Sequence, residues 1–168
     1  MAKAATQAAM DPFGLCGTTV ADKYRIGTLI GAGGFGVVYR GTPAAFGEPI
    51  AVKCLHVSDQ LLAEEREELL RKLQEEGAVL HRLSKRCAAI VQALDVGAVT
   101  TPAGHWVPYL ILEWLDGETL AEHLASRRAA RAPHSLDEAI ALLDPVAEAL
   151  ALAHRQGIAH RDVKPETL

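Results

Sequence analysis

The sequence predicts an α+β fold, in which a five-stranded antiparallel sheet with one long helix precedes a smaller group of helices. Short segments rich in β-branched and aromatic residues recur through the first two thirds of the chain, as is typical of strands. One long amphipathic segment separates the third of these segments from the fourth. Strands and helices therefore do not alternate regularly, which excludes the βαβ order of a doubly wound parallel sheet.

The first three predicted strands cover residues 24–30, 37–42 and 50–55. A glycine-rich segment joins the first two strands, and a polar turn bounded by Pro43 and Pro49 precedes the third. The third strand is a short apolar run that ends near a lysine, so we expect it to lie inside the sheet.

A long helix is predicted from Ser58, which can serve as its N-cap, to about residue 83. The apolar positions of this segment repeat at helical spacing: Leu62, Leu69, Leu73, Leu80 and Leu83. We therefore expect one face of the helix to pack on the sheet.

Two further strands are predicted over residues 87–99 and 106–114. Residues 1–22 are rich in Ala, Gly and Thr without any hydrophobic period, which predicts a flexible tail. The chain thus divides into this tail, a strand-rich region over residues 23–114 and a helical region over residues 115–168.

The helical region begins with a short helix over residues 118–130. Ser135, followed by Glu138 three residues later, forms a capping box and opens the last helix, for which Gly157 is the stop. Apolar residues occupy several faces of this helix, which predicts exposed apolar surface: Leu136, Ile140, Leu142, Leu143, Val146, Leu150 and Leu152.

The composition limits the classes of function. With 49% apolar and 23% charged residues the chain can bury a core, and its net charge of −4 provides no basic field for nucleic acid. Three distant cysteines indicate neither a disulfide framework nor a zinc site. Because no uncharged run is long enough for a bilayer and no signal peptide is present, we expect a cytoplasmic protein without a membrane segment.

The glycine-rich segment Gly31-x-Gly33-x-x-Gly36 is weak evidence by itself, since a plain glycine-rich hairpin would look the same. In a dinucleotide-binding fold such glycines open a helix, whereas Val37 and its neighbours favour a strand. The loop therefore joins two strands, and a dinucleotide oxidoreductase is excluded. Without β-carbons, its backbone amides can approach phosphate oxygens closely.

Lys53 ends the apolar run Ile50-Ala51-Val52, so a buried ammonium there needs an anion. The simple alternative is a lysine that extends to solvent from an edge strand. A nucleotide phosphate and a glutamate of the long helix are the two natural partners. We expect Glu76, which lies on or beside the apolar face, with Glu75 as the alternative.

Asp162 lies in a loop after the last helix, between Arg161 and Lys164. Phosphoryl transfer needs a carboxylate that orients the attacking hydroxyl and accepts its proton, together with cations that hold the migrating charge. Asp162 and Lys164 supply these two groups. Together with Lys53 they are the predicted catalytic residues.

These motifs resemble the protein kinase family, in particular bacterial serine/threonine kinases of eukaryotic type, over residues 24–168. The resemblance rests on the glycine loop, Lys53, Glu76, Glu113-Trp114-Leu115 and His160-Arg161-Asp162-Val163-Lys164-Pro165. It implies ATP and Mg²⁺ as cofactors and the Ser and Thr hydroxyls of a protein as substrate. It implies a kinase N-lobe over residues 23–114, and a hinge and truncated C-lobe over residues 115–168.

The resemblance also assigns the nucleotide contacts. Ile30, Val38 and Ala51 would enclose the adenine, and Gly31, Gly33, Gly36, Lys53 and Glu76 would hold the phosphates. Leu112 would be the gatekeeper, the backbone of Glu113 and Leu115 would bind the adenine edge, and Asp116 would reach the ribose.

Two departures from the family pattern limit the expected activity. Thr167 stands where the family carries a magnesium-binding Asn, and a hydroxyl is a poorer ligand than an amide oxygen. The sequence also ends before the family's Asp-Phe-Gly motif; Asp11-Pro12-Phe13-Gly14 precedes the glycine loop and is not that motif. We expect this chain alone to be inactive. The alternative is a non-catalytic, pseudokinase-like module that binds nucleotide or a partner.

Overall fold

The computed structural model describes residues 11–34 and 36–168, which form two compact units. The sheet unit comprises the described residues up to Arg82 together with Val91–Trp114. The helical unit comprises Leu83–Ile90 and Leu115–Leu168.

The sheet unit contains an antiparallel sheet in the strand order β1-β2-β3-β4-β6-β5. The strands are β1 (Thr19–Val20), β2 (Tyr24–Gly33), β3 (Gly36–Pro43), β4 (Ile50–Leu55), β5 (Ala93–Thr100) and β6 (Trp106–Glu113). The five predicted strands are all present, and β1 is an additional short strand. The fourth predicted strand begins at Ala93 instead of residue 87, because Cys87 and Ile90 form hydrogen-bonded turns.

The core of the sheet unit follows the two-residue period of its strands. Tyr39 of β3, Val52 of β4 and Ile111 of β6 are each fully buried. Lys53 lies between the buried residues Val52 and Cys54 and therefore faces the other side of the sheet, where it is half-buried.

Residues 11–22 do not form the flexible tail that the sequence suggested, whereas residues 1–10 lie outside the described residues. Leu15 and Val20 are buried in the core of the sheet unit. The Asp11 carboxylate accepts hydrogen bonds from the Cys16 N–H at 2.8 Å and from the Tyr39 hydroxyl. The prediction failed because this segment is held by long-range contacts that its composition does not reveal.

Helix α1 (Ala63–Ser84) begins four residues later than an N-cap at Ser58 predicts. The Ser58 hydroxyl accepts a hydrogen bond from the Gln60 N–H, and its carbonyl accepts one from Leu61, so Ser58 forms a separate turn before the helix. A β-carbon built at Gly77 would lie 2.8 Å from Val96 Cγ2, which shows that α1 approaches β5 closely at this glycine.

The helical unit contains α2 (Leu120–Ala129), α3 (Leu136–Arg155) and a 3₁₀ turn over Pro165–Thr167. The predicted capping box of Ser135 and Glu138 is present at the start of α3, and Thr119 and Glu122 form a second one at α2. Gly157 has a φ of +73°, which suits the predicted helix stop. Among the described residues, no helix combines the length and the apolar character needed to cross a membrane.

Candidate functional site

The register of the sheet places three of the predicted site residues in one row across three strands. Gly31 of β2 lies opposite Val38 of β3, and Val38 lies opposite Lys53 of β4. Ala51 lies two residues from Lys53 on the same strand and therefore on the same face. The sequence thus folds locally so that the glycine segment and the lysine become neighbours.

The glycines of the loop fall into two kinds. A β-carbon at Gly36 would lie 2.1 Å from the Cys54 carbonyl oxygen, so the packing of β3 on β4 itself demands glycine there. A β-carbon at Gly31 or Gly33 would meet no described atom within 4 Å, and neither residue has a positive φ. The described protein therefore supplies no contact that requires glycine at positions 31 and 33.

Lys53 and Glu76 are not joined in this structure. Glu76 is exposed, and no salt bridge connects it to Lys53 among the described residues. Gly77 faces the sheet. Adjacent positions on a helix are turned by about 100° from each other, so Glu76, the residue before Gly77, projects beside the packed face of α1. Glu75, the other candidate, pairs with Arg71.

At the end of β6 the predicted adenine-edge residue Glu113 is tied to Gln92. The Glu113 N–H donates to the Gln92 carbonyl at 3.0 Å, and its carboxylate accepts from the Gln92 N–H at 2.7 Å. Ile30, which the resemblance places over the adenine, is 53% exposed on β2. Glu113 is thus fixed by the sheet, while Ile30 presents an apolar side chain to solvent.

In the helical unit, Asp162 and Lys164 are in direct contact. The Lys164 ammonium donates to both carboxylate oxygens of Asp162, at 2.8 and 3.1 Å. His160 is exposed, and its Nδ1 accepts from the Asp162 N–H at 3.3 Å. Arg161 has a φ of +65°, so the loop turns sharply before Asp162.

Thr167 closes the same loop. Its hydroxyl oxygen accepts from the Lys164 N–H at 3.2 Å and lies 2.9 Å from the Lys164 carbonyl oxygen. No group of three or more His, Cys, Asp or Glu side chains suited to a metal ion occurs within residues 11–34 and 36–168. The oxygen donors that these residues offer do not by themselves make a magnesium site.

Leu115 and Asp116 follow directly after the sheet unit. Leu115 is 65% exposed, and Asp116 is exposed as well. Both residues precede α2, whose first N–H, that of Leu120, donates to the Leu168 carbonyl oxygen at 2.9 Å. Leu168 and the start of α2 are therefore linked inside the helical unit.

Comparison with known proteins matches residues 24–168 to the protein kinase domain family. The chain is 33% identical over 149 residues to a probable serine/threonine-protein kinase of Corynebacterium efficiens, covering 89% of this chain and 21% of that protein. It is 36% identical to the serine/threonine-protein kinase PknL of Mycobacterium tuberculosis, covering 87% of this chain and 33% of that one.

Among solved structures, the PknI kinase domain of M. tuberculosis matches with a TM-score of 0.65 and 29% identity. The match covers 89% of this chain and 54% of that one, so the chain spans about half of the solved kinase domain. These matches confirm the predicted α+β kinase-like fold. The chain belongs to the protein kinase domain family and is similar to its bacterial serine/threonine members.

Proposed function

We propose that this chain is the nucleotide-binding part of an ATP-dependent protein kinase that transfers the γ-phosphate of ATP to Ser or Thr hydroxyls of a protein. The observation that carries the proposal is the row Gly31–Val38–Lys53. It sets a cation beside a glycine segment in which no described contact requires glycine at positions 31 and 33. Nucleotide phosphates would explain both features, because they need a close backbone approach and a positive charge.

Each predicted residue has a role in this proposal. Ile30, Val38 and Ala51 contact the adenine, and the backbone of Glu113 and Leu115 binds its edge. Asp116 binds the ribose, and Gly31, Gly33, Gly36 and Lys53 hold the phosphates, with Glu76 as the anion that positions Lys53 when nucleotide is bound.

Asp162 acts on the protein substrate. Its carboxylate orients the hydroxyl that attacks the γ-phosphorus and accepts the proton of that hydroxyl late in the transfer. Lys164, which already contacts Asp162 at 2.8 Å, neutralises the charge that moves with the phosphoryl group. The proposal includes a cytoplasmic location, where ATP and protein substrates are available.

The family generally uses Mg²⁺ with ATP, and Mg²⁺ would neutralise phosphate charge if it were bound. Thr167 is the residue nearest to a family ligand position, but its hydroxyl is occupied by Lys164. In this chain, backbone amides and Lys53 therefore neutralise the phosphate charge. We expect the chain by itself to bind nucleotide without transferring phosphate.

A second candidate function is a nucleotide-binding module that never transfers phosphate. Two observations favour it: the missing ion pair between Lys53 and Glu76 and the occupied hydroxyl of Thr167. Phosphate transfer by this chain would exclude this second candidate, whereas nucleotide binding is common to both.

The binding experiment is a titration of the chain with a fluorescent ATP analogue. We expect Lys53→Ala to weaken binding about tenfold, as the loss of one charge-assisted contact predicts. Lys85→Ala is the matched control, since Lys85 is exposed and has no polar partner in the described part of the chain. Equal binding by both variants would contradict the proposed site.

The transfer experiment measures incorporation of radiolabelled phosphate into the chain itself and into a generic protein substrate. We expect none. Incorporation that Asp162→Asn abolishes would overturn the prediction of inactivity and exclude the non-catalytic module.

A further inference from the structure

The end of α2 and the loop that leads to α3 line a cavity of about 400 Å³ within the helical unit. Three of its seven lining residues are arginines, Arg127, Arg128 and Arg131, and none is acidic. The whole chain carries a net charge of −4, so this cavity locally reverses the charge of the protein. Its volume lies in the range of small-ligand sites.

These arginines are not needed to cap the helix. The last carbonyls of a helix lack partners within it, and basic side chains often serve them. Here the backbone does so, because the Ala130 N–H donates to the Ser126 carbonyl and the Ala132 N–H donates to the Arg127 carbonyl, each at 3.0 Å. The guanidinium groups therefore do not serve as caps of α2.

Only one of the three guanidinium groups is already occupied. Arg127 pairs with Glu138 at 3.2 Å and donates to the Pro133 carbonyl at 3.1 Å, which ties the loop to the helix. The side chains of Arg128 and Arg131 make no hydrogen bond or ion pair within the described residues. Two unpaired guanidinium groups therefore remain at the cavity.

Arg131 also adopts a backbone conformation that its side chain makes unfavourable. Its φ is +52°, in the left-handed region where Gly or Asn is the usual choice. Arg131 holds this conformation because α2 ends in a Schellman motif, in which the Ala132 N–H donates to the Arg127 carbonyl and the Arg131 N–H donates to the Arg128 carbonyl.

His134 is held in place at the edge of the cavity. Its Nε2 lies 3.0 Å from Nε2 of His123, whose Nδ1 in turn lies 2.9 Å from the Glu118 carboxylate. In the neutral form of His123, Nδ1 donates to Glu118, so the His123 Nε2 accepts and the His134 Nε2 donates. The ring of His134 is thereby oriented without further contacts.

We propose that this cavity binds the phosphorylated Ser or Thr side chain of a protein segment. A phosphoryl group carries a charge of about −1.5 to −2. It therefore matches two guanidinium groups better than the single negative charge of a carboxylate would. Leu124, Ala132 and Pro133 provide apolar surface for the flanking peptide. A nucleotide fits less well, since His134 is the only aromatic ring among the lining residues of this described cavity and it contacts His123.

The test is fluorescence anisotropy with a labelled peptide that carries one phosphothreonine among Ala and Leu residues, compared with its unphosphorylated twin. The assay contains no nucleotide, so its outcome does not depend on Lys53 or Asp162. We expect the chain to bind the phosphorylated peptide and not the twin.

The decisive variant is Arg131→Gly, because glycine adopts a positive φ without strain and the fold should be kept. We expect binding at least about tenfold weaker in Arg131→Gly and in Arg128→Ala. Arg155→Ala, an exposed arginine of α3 outside the cavity, should bind like the parent.

Three outcomes would overturn the proposal. The first is equal binding of the two peptides, and the second is parental affinity in both Arg131→Gly and Arg128→Ala. The third is displacement of the probe by inorganic phosphate or ATP as effectively as by unlabelled phosphopeptide, which would identify a simple anion site or a nucleotide site.

Discussion

The two units of this chain keep their structure by different means. The sheet unit buries side chains from six strands and from the segment before them, with Tyr39, Val52 and Ile111 fully enclosed. In the helical unit, α2 has no buried residue and α3 buries only Ala149, Leu152 and Ala153. Burial therefore stabilises the first unit, whereas capping and local hydrogen bonds carry more of the second.

The exposed apolar side chains of α3 belong to the same contrast. Leu136 is 76% exposed, and Ile140 and Leu143 are about half exposed, as the apolar residues on several faces of this helix predicted. An apolar helix face of this kind promotes association between molecules. The difference between the two units shows that loops carrying sequence motifs can keep their local geometry in a unit that buries few side chains.

The largest effect should come from truncating the core of the sheet unit. Ile111→Ala should lower the free energy of unfolding by about 2–5 kcal/mol, because it leaves a cavity in a fully buried site. Tryptophan fluorescence in urea measures this unit, since both Trp106 and Trp114 belong to it.

Ile140→Ala on α3 is the matched change in the helical unit. Because Ile140 is 56% exposed, its truncation should change the free energy by less than about 0.5 kcal/mol. Equal losses in the two variants would contradict the contrast between the units.

The second effect sharpens the comparison within the glycine loop. Gly36→Ala should destabilise the sheet unit by about 1–3 kcal/mol, since its β-carbon would clash with the Cys54 carbonyl oxygen. Gly31→Ala should cost little stability, because nothing described lies within 4 Å, while weakening the binding of the ATP analogue. The free energies come from urea unfolding and the affinities from the nucleotide titration.

The reverse pattern would be informative. If Gly31→Ala destabilised the chain as much as Gly36→Ala and left nucleotide binding unchanged, Gly31 would have a structural role only.

The third effect concerns the caps of the helical unit. Ser135→Ala removes the hydroxyl that accepts from the Glu138 N–H at 3.2 Å and should cost about 1 kcal/mol of α3 stability. Circular dichroism at 222 nm during thermal unfolding measures this loss. Ser135→Asp should restore most of it, and an unchanged melting curve for Ser135→Ala would show that packing, not capping, holds α3.

The sequence predicted what depends on local pattern. Ile50–Leu55 has the predicted bounds, and the capping box at Ser135 was correct, because strand alternation and capping involve residues a few positions apart. The glycine loop was correctly placed between two strands for the same reason. The family assignment, also made from short motifs, was confirmed.

What the sequence did not predict depends on distant residues. Asp11 bonds to Tyr39, 28 positions away, and this contact helps to fix a segment whose composition suggested a tail. The exposed position of Glu76 depends on how Gly77 packs on Val96, which no spacing rule reveals. The sequence did not predict the convergence of the cavity arginines, since it requires the loop geometry after α2.

The smallest effect should come from the pH dependence of the segment anchored by Asp11. Burial alone would raise the pKa of Asp11, but hydrogen bonds from the Cys16 N–H and the Tyr39 hydroxyl outweigh burial and lower the pKa. The stabilisation that accompanies a lowered folded-state pKa is complete above the unfolded pKa of about 3.9. It is lost as the pH falls through the folded pKa. The free energy of unfolding, followed by tryptophan fluorescence, should therefore decline at acid pH.

Asp11→Asn should remove this part of the acid decline, and Tyr39→Phe, which keeps the ring but loses the donor, should remove a share of it. The effect is small because the carboxylate is only partly buried and solvent screens it. An acid decline as steep in Asp11→Asn as in the parent would mean that the Asp11 charge does not hold the segment to the sheet. The burial of Leu15 and Val20 would then be sufficient to hold this segment on the sheet. The contrast between a sheet unit stabilised by burial and a helical unit stabilised by capping would become sharper.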